Sequence, residues 1–325
     1  MPLVVHFLNV GRGDCAIIKF PSGRVGVIDI DNLTTLDDET RAELISEYRS
    51  SLRYLLAANS LQKSSGEAAF IRAAEENITD PLERLDAYIG GGAVFRLLIT
   101  HPDMDHMTGL ARLEQTHRIE NFWHTGSHDF NLEEASAEDW ENSPYDREDW
   151  EAYKRLRAST NDSPRNLHKH QGATGDYWTE DGLELWASTP DLEKTAVEKD
   201  KPNILSMVIK LSYKNRAIVL GGDATRDETW PAIYPVLDMG GIDVLKASHH
   251  GRKTGCYWPA VKEMAPWLTI TSVGEAEHDA TETYRRYSQH TVSLRKCGDI
   301  TITIDDNGKL VYSANIEDHW KPQKT

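Results

Sequence analysis

The chain has 325 residues, with 52 acidic against 36 basic side chains and a formal charge of −16 at pH 7. That length buries enough apolar surface to fold without disulfide staples, and the acidity argues against a surface that grips nucleic acid throughout by counterion release. No run of eighteen apolar residues occurs, and Arg96 breaks one of the longest, Val94–Ile99, which excludes a membrane span. The amino terminus lacks a basic start and a small-residue cleavage site. Cys15, Cys256 and Cys297 are odd in number and far apart. A cytoplasmic protein is the expectation.

Strand-like alternation opens the chain: Val4–Val10, Cys15–Phe20 and Val25–Ile30, separated by glycine turns, read as a meander. Between Thr40 and Tyr88 the pattern turns helical, with Leu44, Ile45, Tyr48, Leu52, Leu55 and Leu56 near a 3.6 period, and Pro81 opens a further helix. Phe95–Thr100 reads as a buried strand, followed by a helix at Thr108–Gln115 and a strand at Asn121–His124. Residues 129–151 hold ten acidic residues and one Arg, with Trp140, Trp150 and Tyr153 close by. They predict a solvated helical insertion that its aromatics dock onto the body. Lys154, Arg155, Arg157, Arg165 and Lys169 then form a basic stretch, a candidate rim for an anionic substrate or a plain solvated face.

Strands follow at Leu183–Ser188, Leu205–Ser212 and Arg216–Leu220, then a helix at Thr225–Leu237 and a strand at Val244–Ala247. A helix near Trp258–Met264, a strand at Trp267–Ser272 and a helix near Thr281–Tyr287 lead to a hairpin turned by Asn307-Gly308. Helices alternate with strands that often come in pairs. The pattern predicts an α/β fold of two mixed sheets packed together with helices outside.

The sharpest chemical signal is Thr100-His101-Pro102-Asp103-Met104-Asp105-His106, directly after an apolar strand. Two imidazoles and two carboxylates within six residues suit zinc, manganese or iron. Two later strands also end in ligand-type residues: Ala217–Leu220 runs into Gly221-Gly222-Asp223, and Val244–Ser248 into His249-His250-Gly251. Asp223 alone would read as a helix cap. Three such strand ends together point to a metal centre.

These motifs, in this order, resemble the metallo-β-lactamase-fold hydrolases, and most of all the branch typified by the hydrolase domain of ComEC-type DNA-uptake proteins and by phosphorylcholine esterases. The opening HFLNVGRGDCAIIKF, the strand VGVIDID, Asn203-Ile204-Leu205-Ser206 and Gly298-Asp299-Ile300-Thr301 carry the likeness further. It covers residues 3–31, 95–125 and 181–313. The resemblance implies one domain over 1–325, an αββα four-layer sandwich, with helical insertions at about 32–94 and 126–180 that border the pocket.

It also implies two divalent ions, zinc or manganese. His101 and Asp103 would hold one, Asp105 and His106 the other, and Asp223 would bridge them. His250 would complete the second site, leaving His249 toward the substrate, although the two histidines could exchange roles. Asp29 and Asp14 would orient metal-bound imidazoles, or for Asp14 serve ordinary turn chemistry. Asn203 would bond the backbone near the metal loop or cap a strand. The family carries a further histidine where this chain reads Trp186–Asp191; Asp191, His124 or His128 would replace it, or the first metal would be under-ligated and weakly held, leaving the occupancy of that site open. Cys256 reads as a buried apolar residue.

Two such ions lower the pKa of a shared water and steady the attacking and leaving oxygens of an in-line displacement. The implied activity is a phosphodiesterase, a nuclease or a nucleotide-directed enzyme. Asp105 would orient the attacking water and His249 assist the leaving group. Arg157, Arg165, Lys246, Arg252 or Lys253 would capture a single strand or a dinucleotide. Hydrolysis of a carbon ester, thioester or amide is the alternative chemistry. A metal-binding interaction subunit that meets a partner protein through the insertions is the alternative class.

Overall fold

The structure is a computed structural model that describes residues 1–50, 60–89, 92–126, 130, 136–175, 180–274, 276–316 and 323–324. Its strands, in chain order, are β1 (Leu3–Phe7), β2 (Ala16–Lys19), β3 (Val25–Ile28), β4 (Ala93–Leu98), β5 (Arg118–His124), β6 (Arg165–His168), β7 (Leu183–Ala187) and β8 (Val208–Tyr213). They continue with β9 (Arg216–Leu220), β10 (Val244–Lys246), β11 (Leu268–Thr271), β12 (His290–Ser293), β13 (Ile300–Ile304), β14 (Leu310–Ala314) and β15 (Gln323–Lys324). One sheet has the order β15-β14-β13-β1-β2-β3-β4-β5-β6 and the other β12-β11-β10-β9-β8-β7.

Each sheet is mixed in the same way. Hairpin-linked strands pair antiparallel, as β1 with β2 and β8 with β9, while β3-β4-β5-β6 and β9-β10-β11-β12 pair parallel. Parallel neighbours need a crossover, and helices supply it. α1 (Asp38–Arg49), α2 (Ser60–Glu75) and α3 (Pro81–Ile89) lie between β3 and β4, and α4 (Leu110–Thr116) between β4 and β5. α5 (Ala137–Glu141) and α6 (Arg147–Arg157) precede β6, and α7 (Pro190–Lys199) follows β7. α8 (Thr229–Ile233), α9 (Trp258–Met264) and α10 (Thr281–Tyr287) serve the parallel half of the second sheet.

Period-two burial puts the core between the sheets. Ile300, Ile302 and Ile304 of β13 join Val5 and Phe7 of β1 against Ile209 and Leu211 of β8 and Ile218 and Leu220 of β9. A second cluster covers the outer face of the first sheet, where Leu97 and Phe122 meet Leu82 and Leu85 of α3, Leu110 and Leu113 of α4, and Trp150 and Tyr153 of α6. The third covers the outer face of the second sheet, with Val219 and Leu245 under Leu192 of α7, Trp230 of α8, Val261 of α9 and Tyr284 of α10. Helix, sheet, sheet, helix is the four-layer order expected.

Three expectations change. The segment 126–180 is not helical alone, because β6 adds an edge strand parallel to β5. Pro202–Leu205 forms a 3-10 turn, and its strand starts only at Val208. The helix expected over Thr225–Leu237 shortens to α8, because Thr225 is drawn into reciprocal hydrogen bonds with Thr229 and Pro235 carries no N–H for the ladder. Trp150 and Tyr153 dock α6 as expected. Leu52, Leu55, Leu56 and His128 lie outside the described residues. Among the described residues no helix is long and apolar enough to cross a membrane.

Candidate metal centre

Both sheets deliver their strand ends to one place. After β3 the chain runs beside the loop that follows β4, with Asp29 N–H bonded to the Leu98 carbonyl and Ile30 N–H to the His106 carbonyl. From the second sheet, His249 N–H bonds the Gly222 carbonyl, so the loops after β9 and β10 interlock. Gly13 must be glycine, because a Cβ there would collide with the Asp105 carbonyl. Asp29, His249 and His250 hold left-handed backbone, with φ of 56°, 50° and 60°. A conformation that costs on the order of 1–3 kcal/mol per residue marks a place where neighbours override local preference.

Asp223 is the hub. Its carboxylate faces the Nε2 atoms of His106 at 3.2 Å, His250 at 3.5 Å, His249 at 3.6 Å and His101 at 4.0 Å. Asp105 meets His250 Nε2 at 3.3 Å and His106 Nε2 at 3.9 Å. Sets of donor atoms within 4.8 Å of one another are His101, His106 and Asp223; Asp105, His106 and His250; and Asp14, Asp223 and His250. His106 therefore stands between the two expected halves instead of in one. Asp103 is in none of these sets; it caps the turn Met104–His106 by accepting the Met104 N–H and lines the same cavity.

The imidazoles are aimed from behind. Asp29 Oδ2 lies 2.9 Å from His106 Nδ1 and also takes the Thr100 hydroxyl, while Asp29 Oδ1 accepts the Thr100 N–H at 2.7 Å. Asp14 stands 3.4 Å from His250 Nδ1 and accepts from Lys246 and from Ser272 Oγ. Thr254 Oγ1 lies 2.8 Å from His249 Nδ1. Asn203 Nδ2 donates to Asp223 Oδ2 at 3.2 Å, a bond to the central carboxylate itself and not to the backbone. The Ser206 hydroxyl accepts the Asp223 N–H.

The donor set fits divalent metal. His101 Nε2, His106 Nε2 and Asp223 Oδ1 are buried, face one another and have no hydrogen-bond partner, an arrangement that costs free energy unless something cationic satisfies it. Six carboxylates gather here, of Asp14, Asp29, Asp31, Asp103, Asp105 and Asp223, against Lys246 and Arg12. Their field acts on the histidines. Burial alone would lower the His250 pKa, yet Asp223 and Asp14 push it up to about 10. Burial would also lower that of His106, and Asp223, Asp29 and Asp105 raise it well above the usual imidazole value. His101 is held down to about 3 by burial and by neighbouring His106, which leaves its ring neutral. The cluster is suited to two ions, with oxygen-rich ligation.

A cavity of about 320 Å³ opens onto it, walled by Arg12, Asp103, Asp105, Tyr145, Asn203, Asp223, His249, His250, Arg252 and Arg295, and by Glu39 and Thr40 of α1. Both insertions thus border the pocket, through α1 and through Tyr145. The basic stretch does not. Lys154 pairs with Glu151, Arg155 with Glu114 and Glu148, and Arg165 with Asp162, while Arg157 lies over the Trp150 and Tyr153 rings. Lys246 is buried against Asp14 and supports the centre from behind, and Lys253 donates to the Glu277 carbonyl. Of the cations expected at the substrate, only Arg252 lines the cavity, and it is paired with Glu43 and Asp279.

Neither Asp191 nor His124 is brought to the Asp223 cluster or its cavity. Asp191 is exposed in the first turn of α7, and His124 is committed to Asn166 and Gly126. Sequence reading missed Asp31, which accepts the Gly13 and Leu33 N–H groups and whose pKa burial pushes up to about 8. The alternation Asp29-Ile30-Asp31 at a strand end was the available signal. It also missed Arg12, Tyr145 and Arg295, which no local pattern marks. Burial pushes the Cys256 thiol up to about 11, as suits an unreactive apolar residue.

No protein-family model and no curated protein matches the chain. Among solved structures it is similar to the metallo-β-lactamase fold protein YhfI from Bacillus subtilis, with 8% identity and a TM-score of 0.42 over 89% of this chain and 95% of that one. It is also similar to CmlA, a diiron β-hydroxylase from Streptomyces venezuelae, with 11% identity and a TM-score of 0.44 over 93% of this chain. The chain spans about half of that hydroxylase, 53% of its length. At such scores the architecture and the site stand on the sheets, clusters and distances described above.

Proposed function

We propose that the chain is a metal-dependent phosphodiesterase that acts on small anionic substrates. The observation that carries this reading is Asp223, buried and ringed by four imidazole Nε2 atoms between 3.2 and 4.0 Å away. His101, His106, His250, Asp105 and Asp223 would hold the ions, with Asp103 at their edge. Bound divalent metal lowers the pKa of water toward neutrality and offsets charge that develops on phosphoryl oxygens.

The chain's own residues supply the rest. Arg12 reaches Asp105 at 3.8 Å and is half-exposed, so its guanidinium can turn to a phosphoryl oxygen. When Thr254 donates to His249 Nδ1, the ring carries its hydrogen on Nε2, facing the cavity. That N–H can donate to a phosphoryl oxygen or give its proton to the departing one. Tyr145 and Thr40 stand in the cavity wall, whose volume of about 320 Å³ suits a small phosphodiester.

The test is hydrolysis of bis(p-nitrophenyl) phosphate with added manganese or zinc, beside a lactone, a thioester and a β-lactam. Diester cleavage that exceeds the other three and disappears in Asp223→Ala supports the proposal. Faster turnover of a carbon ester or thioester, or equal diester rates in Asp223→Ala and wild type, rejects it.

A further inference from the structure

At the rim of the molecule a second set of donors converges. His168 ends β6, His170 lies two residues further on, and Glu193 sits in the first turn of α7. One ligand atom of each lies within 4.8 Å of the other two. We propose that His168, His170 and Glu193 form a separate site for a single divalent cation of the zinc class, which ties the edge of the first sheet to the helix layer over the second.

The geometry is close to what such an ion takes. His170 Nε2 and Glu193 Oε2 are 3.0 Å apart, and the two histidine rings meet edge to face with centroids 5.0 Å apart. Tetrahedral zinc with bonds of about 2.0–2.2 Å wants its donors roughly 3.3 Å from one another. The His168 ligand atom, within 4.8 Å of the other two, would close to that spacing on binding. Two imidazoles and one carboxylate leave a coordination position for water, and the cluster is reachable from solvent, with His170 and Glu193 side chains 28% and 21% accessible.

A second observation concerns Gly126. A Cβ at that position would come 2.9 Å from Glu193 Oε1 and 3.5 Å from His168 Nε2, so the glycine keeps open the space that both donors border. His124 stacks on the His168 ring at 5.5 Å and is itself engaged with Asn166, so it positions that ring and leaves the ligation to others. None of the three proposed ligands lines the cavity at Asp223. The segment that links β6 to β7 is held by hydrogen bonds from Gln171 to Ser188 and from Gly172 to Leu185, and an ion would add a cross-link beside them. The inference is independent of the reaction proposed above.

The experiment measures zinc equivalents per chain by elemental mass spectrometry, and melting temperature with zinc or EDTA, for wild type, His168→Ala, His170→Gln and Asp223→Ala. Glutamine at 170 keeps a donor for Glu193 and removes the imidazole, so the EDTA-treated variant should match wild type in circular dichroism. The proposal expects His168→Ala and His170→Gln each to lose one equivalent and part of the zinc-induced rise in melting temperature. Asp223→Ala should keep that equivalent. Equal zinc content in wild type and both rim variants, with equal melting shifts, overturns it and marks His170–Glu193 as an ion pair only.

Discussion

The Asp223 centre and the His168 rim use the same residue types to different depth. At the centre four histidines have a second nitrogen near a named partner, Asp29, Asp14, Thr254 or Thr100, and six carboxylates crowd a buried volume. At the rim one carboxylate serves two partly buried imidazoles, and two elements meet. The difference teaches how to separate a place built for chemistry from one built for cohesion. A reacting site has its donors oriented before anything binds, whereas a tie can let its ion do the orienting.

Several changes would sharpen or break that contrast. The largest effect belongs to Asp223→Ala, which should reduce diester hydrolysis to background and lower metal content at the centre, while an equivalent change at the rim leaves hydrolysis near wild type. Next is Lys246→Met, which leaves Asp14 buried without its cation. Removing one partner of a buried pair costs about 3–5 kcal/mol, to be read from urea denaturation; a loss under about 1 kcal/mol would show that Lys246 is dispensable.

Asp29→Asn should weaken metal affinity or turnover by about 10–100-fold through a misoriented His106. Unchanged metal titrations would show that the ring needs no such guide. His124, beside the rim, gives a smaller and pH-dependent signal. Burial holds its pKa down to about 4, from an ordinary value of 6.5. Its neutral ring therefore supports the fold fully above about pH 6.5, and that support is lost as pH falls toward 4. By pH 5 wild type should have lost about 1–2 kcal/mol more than His124→Gln, and parallel stability curves would contradict this. Smallest is Arg12→Ala, expected to raise KM for the diester roughly tenfold with kcat little changed.

Much of the centre was legible because its residues sit at strand ends, where apolar runs stop abruptly at ligand-type side chains. His101, Asp105, His106, Asp223 and His250 all announce themselves in that way. What pairs with them did not, since Lys246 meets Asp14 from 232 residues away and nothing local marks it as anything but a surface cation. Arg96 shows the same limit. It looks like an interruption in an apolar strand, yet it is buried and bonded to Asp181 at 2.6 Å. The strands β6 and β12 were missed because each is a short edge strand rich in polar residues, so period-two burial leaves little trace. The basic stretch follows the plainer of its two readings, a solvated face: Lys154 and Arg165 pair with acids three residues away, Glu151 and Asp162, and Arg155 pairs with Glu148 and with Glu114 of α4.

The most direct test of the central claim is anomalous diffraction from crystals soaked in manganese or zinc, with data collected at that metal's absorption edge. The account predicts two strong peaks beside Asp223, one toward His101 and His106 and one toward Asp105 and His250. A map without peaks there, at metal concentrations that saturate the protein in solution, would contradict it.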